Sequence, residues 1–214
     1  MIRRCCEMPM PEPVFTIGHS THSVERFVVL LQQHGISAVG DVRSRPYSRY
    51  NPQFNREEME RFLRDCGIAY VFLGKELGAR SEDPSCYEQG RIRYDRLART
   101  DLFQRGLSRV REGTERYRFA LMCAEKEPLE CHRTILVSRH LEALGLEVRH
   151  ILADGAIETH AEALRRLAQL LKMPDTHLFL SPQELVVEAY LRQEERIAYV
   201  PEEDDPPAIR GVAG

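Results

Sequence analysis

Short apolar segments alternate with longer segments of helical periodicity over most of the chain. Five apolar segments have the length and composition of buried strands, at residues 14–17, 37–42, 69–73, 117–123 and 147–152. Several of the segments between them end at glycines, such as Gly35, Gly67 and Gly145. Strands that alternate with helices form parallel sheets covered on both faces. The sequence therefore predicts a single Rossmann-like three-layer α/β domain with a mostly parallel sheet of about five strands.

Composition divides the chain into three parts. These are a loose N-terminal leader at residues 1–13, the α/β core at residues 14–173, and a C-terminal helix with a disordered acidic tail at residues 174–214. Ser181 and Glu184 have capping-box spacing and predict a C-terminal helix over about residues 182–196. Asn55 and Glu58 have the same spacing and predict a helix start within the core.

Two segments of the core have other expected roles. Residues 156–172 have helical spacing and are expected to form the last core helix, with Ile157 in its buried stripe. Residues 74–90 have little periodicity and are expected to form a long loop of the kind that covers a site.

Composition and cysteine usage exclude several classes of protein. Hydrophobic residues make up 43% of the 214 residues, yet no apolar run has the length needed to cross a bilayer. A net charge of −3 argues against a dedicated nucleic-acid packaging protein. Six scattered cysteines predict reduced thiols in a cytoplasmic protein rather than a disulfide framework. The first predicted strand is not followed by a Gly-x-Gly-x-x-Gly motif and the chain has no Walker loop, so we expect no cofactor.

Reactive residues are concentrated in the loops that leave the predicted strands. The loops that enter the strands contain little besides helix stops. Ligands of parallel sheets bind outside the carboxyl ends of the strands. We therefore expect a polar site formed by the exit loops, at residues 18–20, 41–50, 74–80, 123–133 and 154–155.

Five residues in these loops are candidates for catalysis. Asp41 and Glu125, at the ends of two strands, are the candidates for acid–base chemistry. Cys131 precedes a predicted helix start, where the helix dipole lowers the pKa of a thiol, and His19 or His132 is the candidate base for it. The structural alternatives are carboxylates that only pair with arginines and a cysteine that only packs.

Basic and aromatic residues interleave between residues 43 and 56, a composition that suits phosphate contact and base stacking. A rigid loop that only packs is the alternative. The residues expected to bind substrate include Ser20, Arg43, Arg45, Tyr47, Arg49, Phe54 and Arg133.

Cysteine and histidine in the exit loops raise a further alternative. Cys123, Cys131 and His132, together with His19, are donor types found in metal sites. Their spacing matches no standard zinc knuckle, so we assign no metal ligand. A thiol-based redox or metal-binding protein centred on Cys123 and Cys131 stays open.

Four sequence blocks together resemble a known family. They are TIGHS at residues 16–20, DVRSRPYSRYNPQFN at 41–55, LG at 73–74 and CAEKEPLECHR at 123–133. In this order they are similar to a bacterial and archaeal family catalogued as domain of unknown function 488, over about residues 14–160. The resemblance implies a compact α/β domain with a pocket formed by these blocks. It adds Ser48 and Asn55 to the substrate-binding candidates and implies no reaction.

These features predict an enzyme that acts on a phosphate-bearing substrate, with nucleic acid or a nucleotide as the expected class. The arginines would bind phosphate, Asp41 or Glu125 would act as general acid or base, and hydrolysis or group transfer, such as N-glycosidic cleavage, would need no cofactor. The alternative is a non-catalytic nucleic-acid-binding or regulatory module. Neither reading involves a membrane, and both leave a homodimer open.

Overall fold

The computed structural model describes residues 12–174 and 180–201. Residues 1–11 of the predicted leader and residues 202–214 of the predicted tail lie outside the described residues. The strands are β1 (Val14–Gly18), β2 (Ala38–Asp41), β3 (Ala69–Phe72), β4 (Tyr87–Glu88), β5 (Arg91–Ile92), β6 (Phe119–Cys123), β7 (Val148–Ile151) and β8 (Ile157–Thr159). The α-helices are α1 (Val24–Gln33), α2 (Arg56–Asp65), α3 (Gly74–Leu77), α4 (Tyr94–Leu97), α5 (Asp101–Thr114), α6 (Arg139–Ala143), α7 (His160–Leu170) and α8 (Pro182–Ile197).

Six strands form the central sheet in the order β3-β2-β6-β1-β7-β8. β1 is parallel to β6 and β7, and β2 is parallel to β3 and β6. β8 is antiparallel to β7, while β4 and β5 form a separate two-stranded ribbon. The mainly parallel sheet is confirmed, with six strands rather than five. Because β6 lies between β2 and β1, the strand order differs from the 3-2-1-4-5-6 order of dinucleotide-binding folds.

Helices cover both faces of the sheet. On one face, α1 and α2 bury Phe27, Leu31 and Met59 against Ile17 and Met122 of the strands. On the other face, α5, α6, α7 and α8 pack against the strand residues that point the opposite way. None of the described helices combines the length and apolar character needed to cross a bilayer.

The predicted last core helix begins later than the sequence indicates. Ile157 is the first residue of β8 and is 38% exposed, so it does not belong to a buried helical stripe. Asp154 closes the turn before β8 by accepting a hydrogen bond from the Ala156 N–H at 2.9 Å. Thr159 and Glu162 then form a capping box that starts α7. The helical prediction was wrong for residues 157–159, because the three residues of β8 fit the start of the helical pattern as well as they fit a strand.

The two predicted capping boxes have different outcomes. Ser181 and Glu184 form the predicted box at the start of α8. Asn55 is the residue before α2, but its side chain makes no bond to that helix. Its Oδ1 instead accepts a hydrogen bond from the Ser48 N–H at 2.7 Å. The box with Glu58 was therefore wrong, because Asn55 closes the preceding loop.

The segment expected to be a long loop over the site has local structure of its own. α3 starts directly after β3, and a 3₁₀ turn at Pro84–Cys86 leads into β4. The Tyr87 hydroxyl donates a hydrogen bond to the Ser81 carbonyl at 2.9 Å. Its use as a lid stays a prediction.

A chain of buried hydrogen bonds joins α8 to the sheet. Thr16 Oγ1 lies 2.7 Å from His150 Nδ1, and His150 Nε2 lies 3.1 Å from His160 Nδ1. His160 Nε2 in turn lies 2.7 Å from the Tyr190 hydroxyl. Tyr190 is the most exposed of the four, at 4%. The C-terminal helix therefore packs on the core through polar contacts as well as apolar ones.

These histidines predict a loss of stability in mild acid. Burial lowers the pKa of His160 to about 4 and that of His150 well below its ordinary value of 6.5. The unfolded chain then binds more protons than the folded one below about pH 6.5, so the free energy of unfolding should fall from there toward about pH 4. Burial of His160 alone accounts for about 3 kcal/mol over that window. Urea unfolding at about pH 7, 6 and 5 measures the effect.

Two variants separate the histidine from the hydrogen-bond chain. His160→Gln removes one titrating group, so its stability should depend less on pH than that of the wild type. Tyr190→Phe should lower stability by about 1 kcal/mol at every pH and keep the wild-type slope. Equal pH dependence in the wild type and His160→Gln would contradict the assignment.

Candidate active site

A cavity of about 250 Å³ lies at the carboxyl edge of the sheet, between the loops that follow β2 and β6. These neighbouring strands continue into helices on opposite faces of the sheet. Ligand sites of open α/β sheets occur where connections diverge in this way. Arg43 and Arg45 line the cavity from the β2 loop, and Cys123, Glu125 and His132 line it from β6 and the residues that follow.

Asp41 and Arg43 form a buried ion pair beside the cavity. Arg43 Nη2 lies 2.6 Å from Asp41 Oδ2, and Arg43 Nε donates to Oδ1 at 2.9 Å. The same carboxylate accepts the Arg43 backbone N–H at 3.0 Å and the Tyr70 hydroxyl at 2.8 Å. Burial, reinforced by the charge of Asp41, raises the pKa of Tyr70. Burial acts against the charge of Arg43, but its hydrogen bond to Asp41 outweighs this and raises the pKa of Arg43.

Arg43 connects this ion pair to two further loops. Its Nη2 donates to the Phe54 carbonyl at 2.8 Å, and its Nη1 lies 3.1 Å from His19 Nε2. His19 Nδ1 is 2.9 Å from the Ser20 carbonyl, so Nδ1 carries the proton and Nε2 accepts from Arg43. Burial, followed by the charge of Arg43, lowers the pKa of His19 to about 4. The neutral ring stacks on Phe54 with 4.2 Å between ring centres.

Four polar side chains converge at the other side of the site. The potential donor atoms of Cys123, Glu125, Cys131 and His132 all lie within 4.8 Å of one another. The Cys131 thiol donates to Glu125 Oε2 at 2.9 Å. His132 Nδ1 lies 3.7 Å from Cys123 Sγ and 3.9 Å from Cys131 Sγ. His132 Nε2 lies 3.1 Å from the Val42 carbonyl, which can only accept, so the proton of the neutral ring is on Nε2.

Burial and mutual contact move the pKa values of this cluster apart. Burial raises the pKa of Cys123 well above its usual range. Burial acts the same way on Cys131, but contact with Cys123 and the charges of Arg133 and His132 outweigh it and hold the pKa of Cys131 well below its usual range. Burial alone would lower the pKa of His132, but the adjoining Cys131 raises it. The Glu125 side chain is exposed to the cavity, but the surrounding protein desolvates it, and this desolvation, followed by the charge of Cys131, raises its pKa.

Arg133 holds the loop that carries Glu125. Its side chain is fully buried, and Nη1 donates to the Glu125 carbonyl at 2.7 Å while Nη2 donates to the Lys126 carbonyl at 3.3 Å. Gly18 packs against the same carbonyl from β1, and a Cβ at Gly18 would overlap the Glu125 oxygen. Arg133 also begins a π-helical segment, Arg133–Ser138, a distortion that is frequent at functional sites.

One protein-family model, Domain of unknown function DUF488, matches residues 23–140, which is more than half of the chain. The chain belongs to the DUF488 family. No curated protein and no solved structure matches significantly. Membership in DUF488 confirms the resemblance carried by the sequence blocks, although the first block, at residues 16–20, precedes the matched residues.

In this DUF488 protein, the structure brings together five of the predicted site residues. Arg43, Arg45, Glu125 and His132 line the cavity. Cys131 is buried beside them, in contact with Glu125.

Other predicted residues are buried behind the cavity lining and support it, and we call Asp41, His19 and Arg133 with their partners, including Arg43, the frame of the site. Asp41, expected to act in acid–base chemistry, is 0% exposed, and its carboxylate is occupied by Arg43 and Tyr70. His19, a candidate base, is buried behind Arg43. Arg133, expected to clamp a phosphate, is 0% exposed and binds backbone carbonyls, so it faces the protein interior.

Six predicted substrate-binding residues do not line the cavity. They are Ser20, Tyr47, Ser48, Arg49, Phe54 and Asn55. The Ser48–Asn55 hydrogen bond shapes the loop, and Phe54 is fully buried against His19. Tyr47 is 57% exposed and donates to Glu57 at 2.6 Å.

Several cavity residues were not singled out in the sequence, among them an arginine and two tyrosines. Arg80 belongs to an expected exit loop but was not singled out, and Tyr94 lies in a segment that has the charged pattern of surface helices. Tyr199 follows α8, and nothing in the periodicity indicates that the chain returns there to the sheet edge. Arg80 Nη1 donates to the Tyr199 hydroxyl at 3.2 Å, and its guanidinium lies 4.0 Å from that ring.

The contribution of the Asp41–Arg43 ion pair to stability can be tested by removing the charge of Asp41. Asp41→Asn should lower the free energy of unfolding by about 3–5 kcal/mol, because it leaves the Arg43 guanidinium buried without a counter-charge. Tyr70→Phe removes one hydrogen bond to the carboxylate and should cost about 1.5–3 kcal/mol. Asp65→Asn, at an exposed site in α2, is the control and should change stability by less than about 0.5 kcal/mol. Wild-type stability of Asp41→Asn in urea unfolding would return Asp41 to the candidates for acid–base chemistry.

Proposed function

We propose that this protein is an enzyme that binds a phosphate-bearing substrate in the cavity and acts on it by hydrolysis or group transfer. The observation that supports the proposal is that Arg45 and Arg80 line the same cavity of about 250 Å³ as Glu125, Cys123 and His132. Cationic side chains that attract an anion and groups suited to proton transfer thus line one cavity.

The arginines of the cavity differ in what they offer a ligand. Arg43 is neutralised by Asp41, and its hydrogen bonds to Asp41, His19 and Phe54 use all but one of its N–H groups. We assign it to holding the wall, with one Nη1 hydrogen left for a ligand. Arg45 and Arg80 also line the cavity, and guanidinium groups suit bidentate contact with phosphate. We therefore assign phosphate binding to Arg45 and Arg80.

The size of the cavity limits the substrate. Ligand sites for small molecules usually enclose about 300–1,000 Å³. A cavity of about 250 Å³ suits a single phosphate with an attached sugar or base better than a segment of polymer. A nucleotide, or the end of a nucleic-acid strand, fits this limit and the arginine content.

Glu125 is the candidate general acid or base. Its carboxylate lines the cavity, and its backbone carbonyl is fixed by Arg133 at 2.7 Å. A general acid or base must hold its position within hydrogen-bond reach of the reacting group. We assign this role to Glu125 rather than Asp41, since the oxygens of Asp41 are occupied within the frame.

Exposed aromatic residues favour a second candidate function. Tyr50 is 90% exposed and stands next to the exposed Arg49 in the loop after β2. Exposed aromatic rings beside arginines suit the stacking of unpaired bases. A non-catalytic module that binds single-stranded nucleic acid would use this loop and not the cavity.

One pair of substitutions in the same loop distinguishes the two functions. Arg45→Ala should weaken the binding of inorganic phosphate and of adenosine monophosphate, measured calorimetrically, by about 10- to 100-fold, because a charge-assisted contact is lost. Arg49→Ala is the matched control, since Arg49 does not line the cavity, and should leave both affinities unchanged. Glu125→Gln should keep these affinities and abolish turnover in a screen for release of phosphate or base from nucleotides.

The opposite pattern would support the binding module. In that case single-stranded oligonucleotides bind, monophosphates do not, and Arg49→Ala and Tyr50→Ala weaken binding more than Arg45→Ala does. The loss should then shrink as salt rises, because phosphate contacts along a strand are strongly salt-dependent.

A further inference from the structure

We infer that Cys123, Cys131 and His132 form a binding site for a zinc ion beside the cavity, with one coordination position open toward the cavity. Occupancy of this site by zinc does not depend on the proposed function. The use of a zinc-bound water in hydrolysis rests on that function and extends it.

Two of the three distances between the donor atoms are close to those of tetrahedral zinc, and the two sulfurs lie within 4.8 Å of each other. With Zn–S of about 2.3 Å and Zn–N of about 2.0–2.1 Å, a sulfur and a nitrogen on one zinc ion lie about 3.6 Å apart. His132 Nδ1 lies 3.7 Å from Cys123 Sγ and 3.9 Å from Cys131 Sγ. Shifts of a few tenths of an ångström would complete the geometry.

The histidine is oriented as a ligand would be. His132 Nε2 donates to the Val42 carbonyl at 3.1 Å, which leaves the lone pair of the neutral ring on Nδ1, the nitrogen nearer the two sulfurs. Metal-binding histidines usually donate their second N–H to a carbonyl or carboxylate in this way. Cys131 Sγ also accepts the Arg133 N–H at 3.4 Å, a contact that stabilises a thiolate ligand.

Glu125 lies next to the site without being the fourth ligand. Its Oε2 is 2.9 Å from Cys131 Sγ, closer than the roughly 3.5 Å between an oxygen and a sulfur bound to one zinc ion. We assign the fourth position to water, as in zinc sites with three protein ligands, and the Glu125→Gln variant below tests this assignment. His19 was considered with these residues as a metal donor, but both of its ring nitrogens have other partners, the Ser20 carbonyl and Arg43.

Charge and access both suit a zinc ion. Cys123 and Cys131 are 2% and 1% exposed, and two thiolates at such positions would be costly without a counter-charge. A divalent ion cancels the two negative charges. Cys123 and His132 line the cavity, which provides the path for entry and for a bound water.

A zinc-bound water would serve the proposed reaction directly. Zinc lowers the pKa of a bound water to about 7, and a nearby carboxylate can take its proton. Here Glu125 would accept that proton, and the resulting hydroxide would form the new bond to the substrate as the bond to the leaving group breaks.

The first test is the metal content of the full chain, purified without a histidine tag. Mass spectrometry for metals should find about one zinc ion per chain. Chelation should lower the melting temperature, and added zinc should restore it. Cobalt(II) added to the metal-free protein should give thiolate-to-cobalt charge-transfer and tetrahedral d–d absorption bands.

Variants assign the ligands. Cys123→Ser and Cys131→Ser should each lower zinc affinity by about 100-fold or more and weaken the charge-transfer band. Cys86→Ser is the matched control, because Cys86 is also buried but lies outside the cluster, and it should keep wild-type affinity. Circular dichroism checks the fold of each variant. If a variant does not fold, the chelation experiment on the wild type still tests the zinc site. Glu125→Gln should retain wild-type zinc affinity. A loss of affinity as large as that of Cys131→Ser would show that Glu125 is a ligand and would contradict the open coordination position.

Other outcomes would overturn the inference. Native protein that holds no metal and binds neither zinc nor cobalt would do so, as would a native disulfide between Cys123 and Cys131, which is the thiol-redox alternative. Zinc is measured here without substrate, so its absence leaves Arg45-dependent phosphate binding intact. Conversely, zinc binding without phosphate binding would overturn the proposed function alone.

Discussion

A buried carboxylate–guanidinium pair joins the end of β2 to the loop after β1 and to a tyrosine of β3, and the candidate site depends on it. Asp41 ends β2, Arg43 follows it, and their hydrogen bonds reach the residues after β1 and the tyrosine of β3. A pair of this kind gains little net stability over apolar packing, but losing one partner strands a charge in the interior. The Asp41–Arg43 pair instead fixes the point at which the loop after β2 leaves the sheet, and this point determines where Arg45 lies at the cavity.

The other half of the site is held by a different device. Arg133 satisfies two backbone carbonyls of the β6 loop from below, while Gly18 leaves room for one of them to approach β1. Arg133 directly follows Cys131 and His132 and is the first residue of the π-helical segment. The reactive cluster thus lies between a strand end and a distorted helix start, both anchored in the core.

The sequence was sufficient to predict the layered α/β architecture, because strand and helix periodicities are local properties. The position of a functional site at the carboxyl edge of the sheet stays a prediction, although a cavity lies there. The sequence was not sufficient to distinguish residues that support the cavity from residues that line it. Asp41 and Glu125 both follow a strand and stand near arginines, and only the fold shows that one is enclosed while the other lines a cavity. Spacing alone left the metal alternative for Cys123, Cys131 and His132 open, because Cys-x₇-Cys-His matches no standard zinc site. The 3₁₀ turn at Pro128–Glu130 and the π-helical segment that follows bring these three side chains together.

The C-terminal helix has a consequence for how this family is delimited. The family match ends at residue 140, yet Ile197 and Tyr199 form part of the cavity wall. The reactive cluster and its supports lie within or just before the matched segment, whereas part of the surface that a ligand would touch comes from beyond it. Substitutions at Ile197 and Tyr199 should therefore change ligand selectivity while leaving the reactive groups in place.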